Sequence, residues 1–241
     1  MNGVTWFGHS TTVIEIDDVR FVTDPLLRRR VAHLQRAHAV PRAELGLVDV
    51  VLVSHVHLDH LDLASLAQIE RSRPVFVPRG TARTVRRRGF EDVREVVAGE
   101  TLSLRRVELQ VTHADHGTVR RFVRPSPALG FVVRGSRNVY FAGDTDLFDG
   151  MRALAPVDVA ILPIGGWGPR VPAGHLDPLR AAAALRLVRP ATVVPVHWGT
   201  YRAPFAAEPD DRPAEEFVRA AAEAAPEVDV RVLRIGETLH L

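Results

Sequence analysis

Residues 49–63 read Asp49-Val50-Val51-Leu52-Val53-Ser54-His55-Val56-His57-Leu58-Asp59-His60-Leu61-Asp62-Leu63. An apolar, β-branched run from Val50 to Val53 stops at Ser54, and His55, His57, Asp59 and His60 follow at once. This is the pattern of a buried strand ending in a loop of metal-binding side chains, because three histidines and a carboxylate directly after a core strand have no use in packing. Alternation along an extended segment puts His55, His57 and Asp59 on one side and turns His60 away. Four donors of one loop can then serve two neighbouring cations instead of crowding one. A helix is expected next, from Leu61 to about Arg71, with Leu63, Leu66, Ala67 and Ile69 as its core face.

The His-x-His-x-Asp-His order, with the strand before it, resembles the signature of the metallo-β-lactamase superfamily. The rest of the chain fits an α/β protein. Its 241 residues, 46% of them hydrophobic, suffice for a sizeable core, and a single domain over residues 1–241 is expected. No apolar run approaches the ~20 residues that span a bilayer. The start, Met1-Asn2-Gly3-Val4, moves straight toward a strand without a basic, then hydrophobic, leader. A soluble, cytoplasmic protein is therefore expected.

There is no cysteine, so any metal must be held by imidazole and carboxylate, a donor set that suits zinc, manganese or iron. All 31 basic residues are arginine against 29 acidic ones, a net charge of +2. The runs Arg28-Arg29-Arg30 and Arg86-Arg87-Arg88 read as solvated faces, since neither is interleaved with the aromatics on which nucleic-acid bases stack.

Strands are expected over Val4 to Phe7, Thr11 to Ile16 and Arg20 to Thr23 as an antiparallel meander that Pro25 ends. Asp24, at that strand end, is placed to orient a ligating histidine. Residues 26–47 read as a loop or short helix at the site mouth, with His33 and His38 exposed. Strands at Pro74 to Pro78 and Val93 to Val97 flank a helix from Thr81 to Arg88. From Glu100 a second, largely antiparallel sheet is expected: Thr101 to Leu104, Val107 to Thr112, Leu129 to Arg134 and Asn138 to Ala142. The last part adds helices at Leu147 to Leu154, Asp177 to Val188 and Pro213 to Ala224. Strands are expected there at Val157 to Leu162, Thr192 to Val196, Val228 to Leu233 and Thr238 to His240, and Gly165 to Gly174 as a flexible stretch. Two sheets with helices outside would face one another, strand-end loops on a shared edge.

Three later segments put donors at strand ends: Thr112-His113-Ala114-Asp115-His116, Ala142-Gly143-Asp144-Thr145 and Pro195-Val196-His197-Trp198. Asp144 is the natural bridging carboxylate, since Gly143 lets the backbone approach the cations and one carboxylate can give an oxygen to each.

In the order Trp6-Phe7-Gly8-His9-Ser10, Thr23-Asp24-Pro25, residues 54–62, Phe141 to Thr145, Leu162 to Gly165, His175-Leu176-Asp177-Pro178 and Pro195 to Thr200, the chain resembles one branch of that superfamily. It is the branch of the N-acylphosphatidylethanolamine-hydrolysing phospholipase D and the L-ascorbate-6-phosphate lactonase. The resemblance implies an αββα sandwich of two mixed β-sheets with helices on the outer faces. It also implies one cation on His55, His57 and His116, another on Asp59, His60 and His197, and Asp144 between them. The branch has Pro-Ala-x-His where this chain has His113-Ala114-Asp115-His116, which favours His116 as ligand and leaves His113 as the alternative or as a substrate-facing imidazole. Where the branch has Gly-Tyr after Gly-Asp-Thr, Asp146-Leu147 adds a carboxylate near the site.

The chemistry expected is hydrolysis of a phosphodiester, or a closely related ester or lactone, by hydroxide formed between two divalent cations. Zinc is the first expectation, with manganese or iron as alternatives. Asp59 and His175 are the expected catalytic residues, Asp59 doubling as a ligand and His175 contacting the reacting oxygen or protonating the leaving group. The substrate is expected to be a small-molecule or lipid-like ester, with no nucleic acid and no membrane span. The alternatives are an iron-dependent redox enzyme on the same fold and a metal-binding sensory protein.

Overall fold

Short links with left-handed residues let the first strands fold back on one another. β1 (Gly3–Gly8), β2 (Thr11–Ile16) and β3 (Val19–Thr23) form an antiparallel meander. Asp17 and Asp18 close its second turn at φ 50° and 63°, a conformation aspartate tolerates better than most residues and one that matches strand twist. The computed structural model describes residues 2–41, 47–116, 126–165, 171–202 and 210–241.

The stretch after Pro25 holds a small hairpin, β4 (Arg30–Val31) and β5 (Leu34–Arg36), where a loop or short helix was expected. His33 and His38 are exposed there. β6 (Val50–Leu52) pairs with β3 in parallel, followed by β7 (Val75–Pro78) and β8 (Val93–Val96), also parallel. Parallel neighbours need crossovers, and α1 (Leu63–Leu66) and α2 (Ala82–Arg86) supply them. The helix expected to reach Arg71 is a single turn. Asp62 caps it through Ser65 N–H, and Gln68 and Ile69 then bond back three residues, to Ser65 and Leu66, so the chain tightens out of α geometry.

β9 (Thr101–Leu104), β10 (Val107–Ala114), β11 (Ala128–Arg134) and β12 (Asn138–Phe141) are antiparallel. After a 3-10 turn over Asp149–Leu154 come β13 (Val159–Pro163), α3 (Pro178–Val188), β14 (Thr192–Val196), β15 (Tyr201–Arg202), α4 (Arg212–Ala224), β16 (Asp229–Val230) and β17 (Thr238–His240). Strands β12, β13, β14 and β16 are mutually parallel, so this sheet is mixed, as the resemblance implied, although the strands read from Glu100 onward gave a largely antiparallel one. The last two strands also part company: β16 ends the second sheet and β17 pairs with β1 at the edge of the first. β15 joins the hairpin in a third, three-stranded sheet.

The central strands of the two seven-stranded sheets are buried on both faces, as alternation shows, whereas β9 and β10 turn Thr101, Ser103 and Glu108 to solvent. In β13, Val159 and Ile161 face the other sheet with Phe21, Leu52 and Phe76, whereas Ala160 and Leu162 pack toward Ala181, Leu185 and Phe217 of α3 and α4. In β6, Val50 and Leu52 point between the sheets and Val51 points outward, to Leu66 and Val85. The result is the expected αββα layering, with apolar strands read as near-continuous runs because neither face meets water. Among the described residues no helix is long and apolar enough to cross a membrane.

Candidate metal centre

The loop after β6 is not extended. His60 N–H and Leu61 N–H both bond to the carbonyl of His57 (3.0 and 2.8 Å), curling the segment into a turn. The alternation expected for residues 55–60 therefore fails, and Asp59 groups with His60 rather than with His55 and His57.

Strand ends of both sheets bring two donor sets together. His55 Nε2 and His116 Nε2 lie 2.9 and 3.1 Å from His57 Nδ1. His60 Nε2 and His197 Nε2 lie 3.5 and 3.8 Å from Asp59 Oδ2, and 3.2 and 3.3 Å from Asp144 Oδ2. His175 Nε2 is 3.4 Å from the same Asp144 oxygen. His113 stays outside both sets, exposed, with its ring edge-on to Phe148. The His116→Ala variant is accordingly expected to lose metal, whereas His113→Ala should keep it; elemental analysis of both purified proteins checks the pair, and the opposite result would exchange their roles.

The tautomers are fixed from behind. Ser54 Oγ–H donates to Asp24 Oδ2 (2.6 Å), so the same hydroxyl accepts from His55 Nδ1–H (3.0 Å), while His60 Nδ1–H donates to Asp24 Oδ2 (2.8 Å). Asp24 thus orients two rings, one directly and one through Ser54. His116 Nδ1–H donates to the Gly174 carbonyl (2.8 Å) and His197 Nδ1–H to that of Gly165 (3.1 Å). In all four rings Nε2 is left facing the cluster, the arrangement in which an imidazole offers its lone pair to a cation.

Burial holds the His55 imidazole well below the usual histidine range and lowers that of His116; burial with the neighbouring His116 brings His57 to about 4. Burial also opposes charge on His60 and His197, but Asp144 overcomes it, lifting His60 well above its usual range and His197 to about 9. Burial by itself would raise the two carboxyls; His60 beside Asp59, and His197 with His60 beside Asp144, reverse this and hold both well below the usual range. One set is neutral and the other carries protons against carboxylates. Asp144 Oδ1 is buried without a hydrogen-bond partner, which is costly unless something else satisfies it, and His60 Nε2 and His197 Nε2 have only the Asp59 and Asp144 carboxylates beside them. Lone pairs, carboxylates and unsatisfied donors around one centre fit divalent cations.

Gly143 also meets a constraint of the fold. It takes φ +62°, and a Cβ there would meet the Leu129 carbonyl at 2.7 Å and Ser54 Cβ at 2.8 Å, so the residue lets the β12 end pass between β11 and the histidine loop. Asp146 does not add a free carboxylate. It accepts from Leu147 N–H (2.5 Å) and Gly174 N–H (3.3 Å) and pairs with Arg180, pinning the turn that carries Gly174 and His175. Residues 166–170, within the stretch expected to be flexible, lie outside the described residues.

Sequence reading gave no role to His9, which the structure sets among Asp59, His60 and His197. Its only signal was the Gly8-His9-Ser10 link after Trp6. His9, Asp24 and His197 all adopt left-handed φ (53°, 36° and 66°), rare outside glycine and concentrated at functional sites. Trp6 Nε1–H and His197 N–H both donate to the His9 carbonyl (2.9 and 3.1 Å), and Trp6 stacks on Trp198, tying the two strand ends together.

Residues 19–198 match the model of the beta-lactamase superfamily domain. A metal-dependent hydrolase of Methanopyrus kandleri is 31% identical over 98% of either chain. The N-acyl-phosphatidylethanolamine-hydrolyzing phospholipase D 1 of Caenorhabditis elegans is 30% identical over 82% of this chain and 64% of its own. A solved metallo hydrolase from Ignicoccus hospitalis superposes with a TM-score of 0.75 at 27% identity, covering 99% of this chain and 97% of that one. The chain spans 63% of the length of the mycobacterial relatives it matches at 35% identity. This chain belongs to the beta-lactamase superfamily. Within it, the Methanopyrus kandleri relative carries the name of a metal-dependent hydrolase.

Proposed function

We propose that this protein is a metal-dependent hydrolase that works with two divalent cations, zinc in the first place, and cleaves a phosphodiester or a closely related ester or lactone. One observation carries the reading: two sets of donor atoms converge on either side of Asp144. His55, His57 and His116 would hold one cation, Asp59, His60 and His197 the other, with Asp144 shared. When bound, such a pair supplies Lewis acidity and lowers the pKa of water to near neutrality.

The chain's own residues do the rest. Asp24 and Ser54 keep His55 and His60 in one tautomer and one orientation, so the donor geometry exists before substrate arrives. His175, with its Nε2 toward Asp144 and its ring against His116, stands at the rim of the cluster, where it would hold or deliver a proton at the leaving oxygen. The Caenorhabditis elegans relative, named for hydrolysing a phospholipid, supports the phosphodiester over the lactone.

Elemental analysis together with a panel of phosphodiester, lactone and β-lactam substrates tests the reading. Two cations per chain and turnover of a phosphodiester are expected, and an active, metal-free protein would end it. Iron in place of zinc, with no hydrolysis of any panel member, would favour the redox alternative, whose donor set is the same.

Metal uptake should also depend on pH. His60 and His197, the latter with a pKa of about 9, carry protons in the metal-free protein that a cation must displace. Loading near pH 7 is therefore expected to release protons, and affinity to rise with pH until both His60 and His197 are deprotonated. His55, His57 and His116 are neutral there and contribute little. Calorimetry in buffers of different ionisation heat measures the release; uptake without released protons would contradict the assignment of His60 and His197.

A further inference from the structure

We propose that His9 is a ligand of the second cation, which would then be held by His9, Asp59, His60 and His197 beside Asp144. The inference rests on the two-cation reading above. Donors bound about 2.0–2.1 Å from a common cation lie ~3.0–3.4 Å from one another in octahedral or tetrahedral arrangements. Around Asp59 Oδ2, His9 Nε2 at 3.0 Å lies within that range, and His60 Nε2 and His197 Nε2 lie just beyond it, at 3.5 and 3.8 Å. His9 is the nearest of the three. Its ring centroid is 4.0 Å from that of His197, and the four side chains are all buried.

The backbone has no freedom to withdraw the ring. His9 N–H donates to Thr200 Oγ1 at 2.6 Å, and its carbonyl accepts from Trp6 and from His197 N–H. The left-handed φ of His9 faces the left-handed φ of His197, so both rings are aimed at Asp59 from strand ends that bond to each other. Residue and partner come from opposite ends of the sequence, joined only by the meeting of the two sheets. The second position then holds three imidazoles and a carboxylate before Asp144 is counted, against three imidazoles in the first.

A competing role, in which His9 only orients Asp59 by a hydrogen bond, makes a different prediction. Glutamine can donate that hydrogen bond through its amide but is a poor ligand. Metal-free wild type, His9→Ala and His9→Gln are each titrated with Co(II), following visible absorption and equivalents bound. Wild type is expected to take two equivalents, and both variants to bind the first as wild type does and the second at least ~100-fold more weakly, more than the ~10–100-fold typical of losing an orienting partner. Binding of the second equivalent by His9→Gln at wild-type strength would make His9 an orienting residue and overturn the proposal, as would unchanged binding by His9→Ala. A wild type that takes fewer than two equivalents would instead sink the two-cation reading, and it is visible before any variant is made. Should the variants fail to fold, histidine-labelled wild type loaded with Co(II) decides the matter. Three strongly shifted imidazole N–H resonances from the second position are expected, and two would overturn the ligand role.

Discussion

Asp144→Ala is expected to lower activity by roughly 10³- to 10⁵-fold while leaving the fold in place, since groups that act as one unit in catalysis fail together when one is removed. The geometry gives the reason. A single Asp144 oxygen lies within 3.4 Å of His60, His197 and His175, and Asp144 also groups with His116 of the first set, so its loss touches both donor sets and the contact to the proposed proton donor at once. A second readout needs no metal. With the carboxylate gone, burial is opposed by less negative charge, and the His197 pKa should fall from about 9 toward the ordinary histidine range or below. Elemental analysis, near-UV circular dichroism and histidine NMR of the metal-free variant check the three parts. A variant that kept two cations and wild-type turnover would take Asp144 out of the centre.

His175→Ala should keep both cations and lose turnover by ~10²- to 10⁴-fold, the usual contribution of a placed acid or base. The loss should depend on the leaving group. Esters of poorly acidic alcohols need a proton on the departing oxygen and should suffer most, whereas nitrophenyl esters, whose leaving groups depart as anions, should suffer little. Equal losses for both kinds would favour binding or stabilisation of developing negative charge instead. Loss of a cation would make His175 a ligand, a possibility the 3.4 Å distance to Asp144 keeps within reach of the test.

The sequence by itself determined the layers and most of the site's composition. Residues 50–53 are apolar at every position because a parallel strand buried on both faces has no solvent side, and the abrupt change at Ser54 marks where that burial stops. Val139 to Phe141 before Asp144, and Thr192 to Val196 before His197, repeat the pattern, so donors at strand ends could be found one by one. The helix expected from Asp177 to Val188 was legible too, with Asp177 proving to be its cap: it accepts from Arg180 N–H, and Pro178 sits where no N–H is needed.

Tertiary structure decided the grouping. Which residues share a centre depends on how two sheets meet, and strand periodicity says nothing about that once the chain turns. The Ser54 to Asp62 loop curls through bonds to the His57 carbonyl, which alternation could not foresee, and this sends Asp59 to His60 and His197. His113 and His116 are both near a strand end; only packing against Phe148 and the Gly174 carbonyl separates them. Asp146 looked like a site carboxylate until Arg180 and Gly174, distant in sequence, claimed it. His9 was invisible as a donor because its partners lie about 50 and 190 residues away, and a lone histidine in a tight link has no spacing to read.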